Sequence, residues 1–364
     1  MLLRGGKLKG QGTYGCVFQP ALLCRGSTND SKVDPKKVGK ITLLQDGRNE
    51  LEISEHLHTI EGYEEYTVPV ELDTCVPRAR SRQEEKDLEK CEFIQGQPIE
   101  KTIQLMMPWG GIALPRINLS PTNTSRFKPF DSFEFMKDIL AMGAFLVIND
   151  ICHFDIYANN ILIDAKNKPR FIDFGLGFRP SELTSVGVNA RWRLISVAYN
   201  TETPEVTLMA GSQYNVPQMD LIRGMQLQKP AVQDLAAITG LLPSEWSDDL
   251  IKWTEESQSF QQQDWLTCWK LYWPGFDAWA IGATLLDVLN IQLSFPSFRN
   301  SQEWKSKSTV IKTILRGMCR GNPVYRMDAV EALHLFTKGS HPLISAGSAG
   351  EEWVNAKKEQ RRLL

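Results

Sequence analysis

The chain has 364 residues, 42% of them hydrophobic, and its 41 Lys and Arg stand against 43 Asp and Glu for a net charge of −2. That length supports two separately cored parts, and the near balance of charge gives no global electrostatic basis for binding nucleic acid or an anionic membrane. Met1 to Gly10 lacks an apolar core of signal-peptide length, and no apolar run approaches the roughly 20 residues needed to cross a bilayer. The seven cysteines, at 16, 24, 75, 91, 152, 268 and 319, include no Cys-x-x-Cys pair. These features predict a soluble, intracellular, cytoplasmic protein with reduced thiols and with neither a zinc site nor a disulfide framework.

Residues 10 to 17, GQGTYGCV, place Gly10, Gly12 and Gly15 between the apolar flanks Leu8, Val17 and Phe18. Glycine lacks the β-carbon that would keep backbone amides away from a triphosphate, and the flanks predict two paired strands. The same spacing could open a dinucleotide-binding helix. Against that, Cys16-Val17-Phe18 reads on as strand, and no acidic residue ends a strand about 20 residues later. Lys40, in KKVGKITLL, is framed as a strand residue by Val38 and Ile41-Thr42-Leu43, whereas Lys36 and Lys37 follow a proline. NELEISEHLHTI predicts a helix with Leu51, Ile53, Leu57 and Ile60 on its apolar face, and it offers Glu50, Glu52 and Glu55 as acidic candidates. PRARSRQEEKDLEK, from 77 to 90, is a charged insertion expected as a solvated loop or exposed helix. IQLMMPWGG, from 103 to 111, reads as a buried strand running into a linker.

The stretch HFDIYANNILIDAKNKPRFIDFG, from 153 to 175, is the most informative. Asp155 and Asn160 suit a tight loop that holds one group on a nucleophile and the other on a metal. Asp173 follows the Phe171-Ile172 pair of a short buried strand, and Ile161, Leu162 and Ile163 begin a hairpin through Lys166-Asn167-Lys168. From Val206 to Pro274 the chain carries Trp246, Trp253, Trp265, Trp269 and Trp273, too many aromatics for a disordered linker. This segment predicts a folded helical insertion with the tryptophans in its core. FDAWAIGATLLDVL and NPVYRMDAVEAL follow as helical phrases, and the tail from Lys338 is rich in Gly, Ser and charge, with an RRLL end that reads as frayed.

HFDIYANN resembles the catalytic loop of the protein-kinase family, His-x-Asp-apolar-x-x-x-Asn, and IDFG resembles its metal-binding Asp-Phe-Gly, while GQGTYGCV matches the family's Gly-x-Gly-x-x-Gly-x-Val. The resemblance runs over about 10 to 335. It implies an α+β, two-lobed fold: a small β-rich N-lobe at 1–107, a hinge at 108–111, a large helical C-lobe at 112–337 with its insertion at about 206–274, and a tail at 338–364. It also implies ATP with Mg2+ (or Mn2+). Asp155 would accept the proton of the attacking hydroxyl, and Asn160 and Asp173 would hold metal. Gly10, Gly12, Gly15 and Val17 would cover the nucleotide, and Lys40 would meet the α- and β-phosphates. Of the three glutamates, Glu50 best fits the family's Glu-apolar-x-apolar phrase and would orient Lys40. Met107 would sit at the back of the pocket, with the Pro108 carbonyl and the Gly110 amide facing adenine; an ordinary strand and turn is the alternative for this segment. Asp277 would cap the catalytic-loop backbone, and Arg326 would pair with Glu205 of NTETPEV.

Two positions depart from the family. Phe154 stands where most kinases have the Arg that receives an activation-segment phosphate, so activity is expected without phosphate on Ser181, Thr184 or Ser185. Tyr157 stands where Ser/Thr kinases have a Lys that contacts the transferred phosphate. The opening GGKLKGQGTYGCVFQPALLC, the short Lys40-to-helix connection and the long insertion resemble kinases of large double-stranded DNA viruses. The resemblance therefore implies an ATP-dependent protein kinase acting on Ser/Thr hydroxyls of a protein substrate, with no nucleic-acid or membrane partner. The alternatives are a small-molecule kinase of the aminoglycoside-phosphotransferase type and a catalytically silent scaffold.

Overall fold

The glycine-rich N-terminus folds as a hairpin in which β1 (Lys7–Gly12) pairs antiparallel with β2 (Gly15–Gln19). The computed structural model describes residues 6–12, 15–26, 34–78, 88–95, 98–121 and 129–362. Thr13 and Tyr14 of the glycine-rich phrase lie outside these residues. The chain divides into two units, Met1–Gly111 with Ile172–Gly177, and Ile112–Phe171 with Phe178–Leu364. Together they make a mixed α+β protein with a small antiparallel sheet in one unit and a large helical part in the other.

In the first unit, β3 (Lys37–Leu43), β4 (Thr74–Cys75) and β5 (Thr102–Pro108) complete a five-stranded sheet in the order β1-β2-β3-β5-β4, with Val17, Lys40 and Leu105 facing one another across the ladder. Side chains alternate along a strand, so Cys16, Phe18 and Ile41 go to one face and Val17, Val38 and Lys40 to the other. The first face packs on Leu88, Cys91, Ile94 and Ile99. On the second, Val38, Leu105 and Met107 cluster, with Leu51 of α1 (Leu44–His58) packed against them. Gly47 lets α1 approach, since a β-carbon there would lie 2.8 Å from the Ile103 side chain. Residues 79–87 of the charged insertion lie outside the described residues; at its C-terminal flank Glu89 and Lys90 are exposed as expected, while Leu88 is buried.

The cysteines correct the sequence reading. Cys16 is bonded to Cys91 and Cys24 to Cys75, at Cα separations of 6.1 and 5.6 Å, leaving Cys152, Cys268 and Cys319 as buried free thiols. The partners are 75 and 51 residues apart in sequence, so only the folded sheet and the segment packed on it bring them together. This pairing removes the ground on which a reducing, cytoplasmic setting was expected. Titration of the unfolded protein with a thiol reagent should find three reactive thiols without reductant and seven with it; seven in both conditions would refute the pairing.

In the second unit, a three-stranded sheet of β6 (Ile112–Ala113), β7 (Ile161–Ile163) and β8 (Pro169–Phe171) accompanies the helices. Helix α2 (Ser132–Ile148) starts at Asp131, whose carboxylate accepts from the Phe133 and Glu134 amides, and it is apolar on nearly every face and correspondingly buried. Helices α3 (Pro204–Gln213), α4 (Gln218–Gln228), α5 (Pro230–Thr239) and α6 (Pro243–Glu256) form the predicted insertion, with Trp246, Trp253 and Trp269 among the largest fully buried side chains. The end of that insertion is not a boundary. One helix, α7 (Trp265–Ser294), runs through Pro274 into the FDAWAIGATLLDVL phrase.

Helices α8 (Gln302–Met318) and α9 (Ala329–Thr337) close the set, and the tail beyond them is an integral part of the unit rather than an appendage. Ile344 and Val354 are buried, α10 (Ala349–Arg362) carries Trp353 against Trp273, and the Trp353 indole donates to Asp328 at 2.8 Å. Leu363 and Leu364 of the RRLL end lie outside the described residues. Among the described residues, no helix is long and apolar enough to cross a membrane.

Candidate active site

In the first unit, the alternation of β3 puts Lys40 on the α1 face of the sheet. On α1 the buried residues Glu50, Ile53, Ser54 and Leu57 follow the i, i+3, i+4, i+7 spacing of one helical face. Glu50 is therefore the glutamate turned inward, while Glu52 and Glu55 are exposed. Lys40 Nζ donates to Glu50 Oε2 at 2.8 Å and to Asp173 Oδ1 at 2.6 Å. Burial pulls the ammonium toward the neutral form, but Asp173 and Glu50 outweigh it and hold its pKa above the usual lysine value. One cation between two carboxylates leaves this trio with a net negative charge.

Asp173 belongs to the first unit through the 172–177 segment. Its φ of 65° is left-handed, a conformation that Asp tolerates better than most residues. Asn49, one position before Glu50, fastens the segment to α1 by donating to the carbonyls of Gly175 at 2.7 Å and Gly177 at 3.0 Å. Gly175 is packed on the trio, where an added β-carbon would lie 3.3 Å from Asp173 Oδ1.

The other first-unit candidates sort by environment. A β-carbon at Gly15 would meet the Ile41 carbonyl at 2.1 Å, so glycine is required there by the approach of β2 to β3, whereas at Gly10 and Gly12 it would meet nothing within 4 Å. Because strand, not helix, follows Gly15, the dinucleotide-binding alternative does not fit. Val17, Val38 and Met107 share the face of Lys40. Pro108 ends β5, the Trp109 amide donates to the Lys36 carbonyl at 3.0 Å, and Gly110 is buried at the end of the unit.

In the second unit, the loop from His153 is held by Asp277 of α7, which accepts from the His153 amide at 2.6 Å and the Phe154 amide at 2.9 Å. Burial raises the Asp277 carboxyl to about 6, against the pull of those two bonds. Phe154 adopts a φ of 61°, unfavourable for a bulky side chain; its ring is fixed among Phe178, Trp269 and Phe276. Asn160 Nδ2 donates to the Asp155 carbonyl at 2.9 Å and to Asp155 Oδ2 at 3.2 Å. With both amide hydrogens turned to Asp155, the carboxamide oxygen is the Asn160 atom that can face a cation. Asp155 Oδ1 lies 3.1 Å from Arg193 Nη2, and Arg193 also donates to the Phe154 carbonyl.

Arg193, Asn49 and the disulfides were missed in the sequence. For Arg193 a signal existed: the loop lacks a cation at both Phe154 and Tyr157, and the ARWRL phrase supplies two between Asp173 and Glu205. Deeper in the same unit, Arg326 Nη1 and Nη2 meet Glu205 Oε1 and Oε2 at 2.5 and 2.8 Å, with both side chains fully buried. Among the described residues, no group of three or more His, Cys, Asp and Glu could hold a metal ion by itself. The candidate metal groups, the Asp173 carboxylate in the first unit and the Asn160 carboxamide in the second, are each oxygen donors of the kind a hard cation takes beside water and phosphate oxygens. No model of a known protein family matches the chain, and no curated protein sequence matches it.

Proposed function

We propose that the chain is an ATP-dependent protein kinase of the two-lobed kind, similar to those of large double-stranded DNA viruses, transferring the γ-phosphate to Ser/Thr hydroxyls of a protein. The observation that carries the reading is Lys40 held between Glu50 and Asp173, buried at the α1 face of the sheet. Two of its three N–H donors are engaged by carboxylates, and the third would donate to a phosphate oxygen. Mg2+ (or Mn2+), when bound, neutralises the charge that develops on the phosphates. On the resemblance, Asp173 of the first unit and the Asn160 oxygen of the second would hold it. Val17, Val38 and Met107 offer the adenine an apolar face, and Asp155 takes the hydroxyl proton as the new O–P bond forms and the bond to the β–γ bridging oxygen breaks, releasing ADP.

The buried Arg326–Glu205 pair and the Asp277 cap favour a protein kinase over a small-molecule kinase, since both are protein-kinase features of the resemblance. Replacing Asp155 by Asn should lower metal-dependent transfer to a generic basic protein by about 10²-fold or more, with nucleotide binding retained. Equal transfer by the two proteins would overturn the assignment.

Regulation by activation-segment phosphate has little purchase on this geometry. Ser181 donates through its hydroxyl and its amide to Asp150, so a phosphate there would face a carboxylate, and the Thr184 hydroxyl caps the Ser185–Asn189 helix. Phosphatase-treated enzyme should keep its initial rate. Silence after treatment, with recovery that tracks phosphate on Ser181, Thr184 or Ser185, would refute this.

A further inference from the structure

The carboxylate of Asp155 is gripped from two sides. Asn160 Nδ2 lies 3.2 Å from Oδ2, and Arg193 Nη2 lies 3.1 Å from Oδ1. Arg193 is itself located by three further contacts: it donates to the Phe154 carbonyl, its guanidinium carbon stands 5.0 Å from the centre of the Phe154 ring, and it stands 5.7 Å from that of Tyr199. A guanidinium stacked on one ring and bonded to a carbonyl and a carboxylate at once has little rotational freedom left. The loop itself has no cation, because aromatic residues occupy 154 and 157.

We propose that Arg193 is a positioning residue for the transfer reaction, fixing Oδ1 of Asp155 so that the carboxylate meets the incoming hydroxyl in one orientation and supplying at the loop the positive charge that Phe154 and Tyr157 do not. The proposal rests on the kinase reading above. The polarity of an ordinary loop-to-segment link is inverted here: the cation belongs to the segment and the aromatic ring to the loop. The Arg193 and Asp155 side chains are mostly buried, 17% and 21% accessible, so a positioning role is separated from a structural one by the split between kcat and KM and by the double variant, not by stability.

The test compares steady-state transfer by wild type, Arg193→Gln, Arg193→Lys, Asp155→Asn and the double variant Arg193→Gln/Asp155→Asn, each checked by thermal melting. Arg193→Gln should lower kcat by about 10²-fold, with the KM for ATP within about twofold, both read well below the melting transition of each variant. Arg193→Lys should recover part of the loss, and it carries the test if the Gln variant fails to fold. In the Asp155→Asn background the Arg193 change should add no further loss, because it acts through the group already removed. An unchanged or raised kcat in Arg193→Gln, or an equal further loss in the Asp155→Asn background, would overturn the proposal while leaving the kinase reading in place. A wild-type protein inert with metal and ATP would instead bring down the kinase reading and this proposal with it.

Discussion

Replacing Asp173 by alanine should abolish phosphoryl transfer and leave the protein folded. Asp173 is the partly exposed member of the Lys40 trio, its side chain 38% accessible, while the Lys40–Glu50 contact at 2.8 Å persists without it. Its removal therefore takes away little buried structure, and an ion pair at that exposure contributes modestly to stability. For catalysis the loss is of another order. A carboxylate that anchors a cation on the transferring phosphate supports transition-state stabilisation of several kcal/mol, and about 4 kcal/mol corresponds to about 10³-fold in rate. Asp173→Asn keeps the shape and removes the charge, so it should fall nearly as far. Initial rates with labelled ATP, read beside melting curves, check both statements; full activity in the alanine variant would remove Asp173 from the site.

Truncating either Glu205 or Arg326 should destabilise the second unit strongly. The pair is bidentate, wholly inaccessible, and supported by the Arg320 carbonyl on Arg326 Nε at 3.0 Å and by Trp279, whose ring lies 5.4 Å from the guanidinium. Removing one partner leaves a buried charge uncompensated, which typically costs about 3–5 kcal/mol. Glu205→Gln and Arg326→Met should each approach that cost, and the double variant should fall short of the sum by about 1–3 kcal/mol, because neither charge is then stranded. Urea unfolding of the four proteins measures the coupling. Strict additivity would show that the two side chains do not act as a pair.

Features carried by local periodicity were legible in the sequence. The alternation around Lys40 placed it on a strand, and of the expected apolar face of the helix Ile53 and Leu57 are buried, whereas Leu51 is half-buried, Ile60 lies beyond the end of α1, and the buried face takes in Gly47, Glu50 and Ser54 instead. The aromatic content of 206–274 announced a folded segment because tryptophans at that density must be buried somewhere. The expectation that Glu205 would meet Arg326, 121 residues away, came from the family resemblance of the two phrases and not from any local spacing.

What the sequence determined by itself, then, is the set of elements and the chemical identity of the groups, since strand alternation and helical spacing are properties of neighbouring residues. Only the tertiary structure decided which distant groups meet. Cys16 finds Cys91, Arg193 reaches Asp155, Asn49 fastens Gly175, and Lys40 reaches Asp173 across 133 residues. It also carried α7 through Pro274 and buried Ile344 and Val354 of the tail. The physical reason is common to all of these. A disulfide, an ion pair or a buried contact depends on a distance of a few ångströms in space, and that distance is set by how sheet and helices pack, which no local spacing encodes.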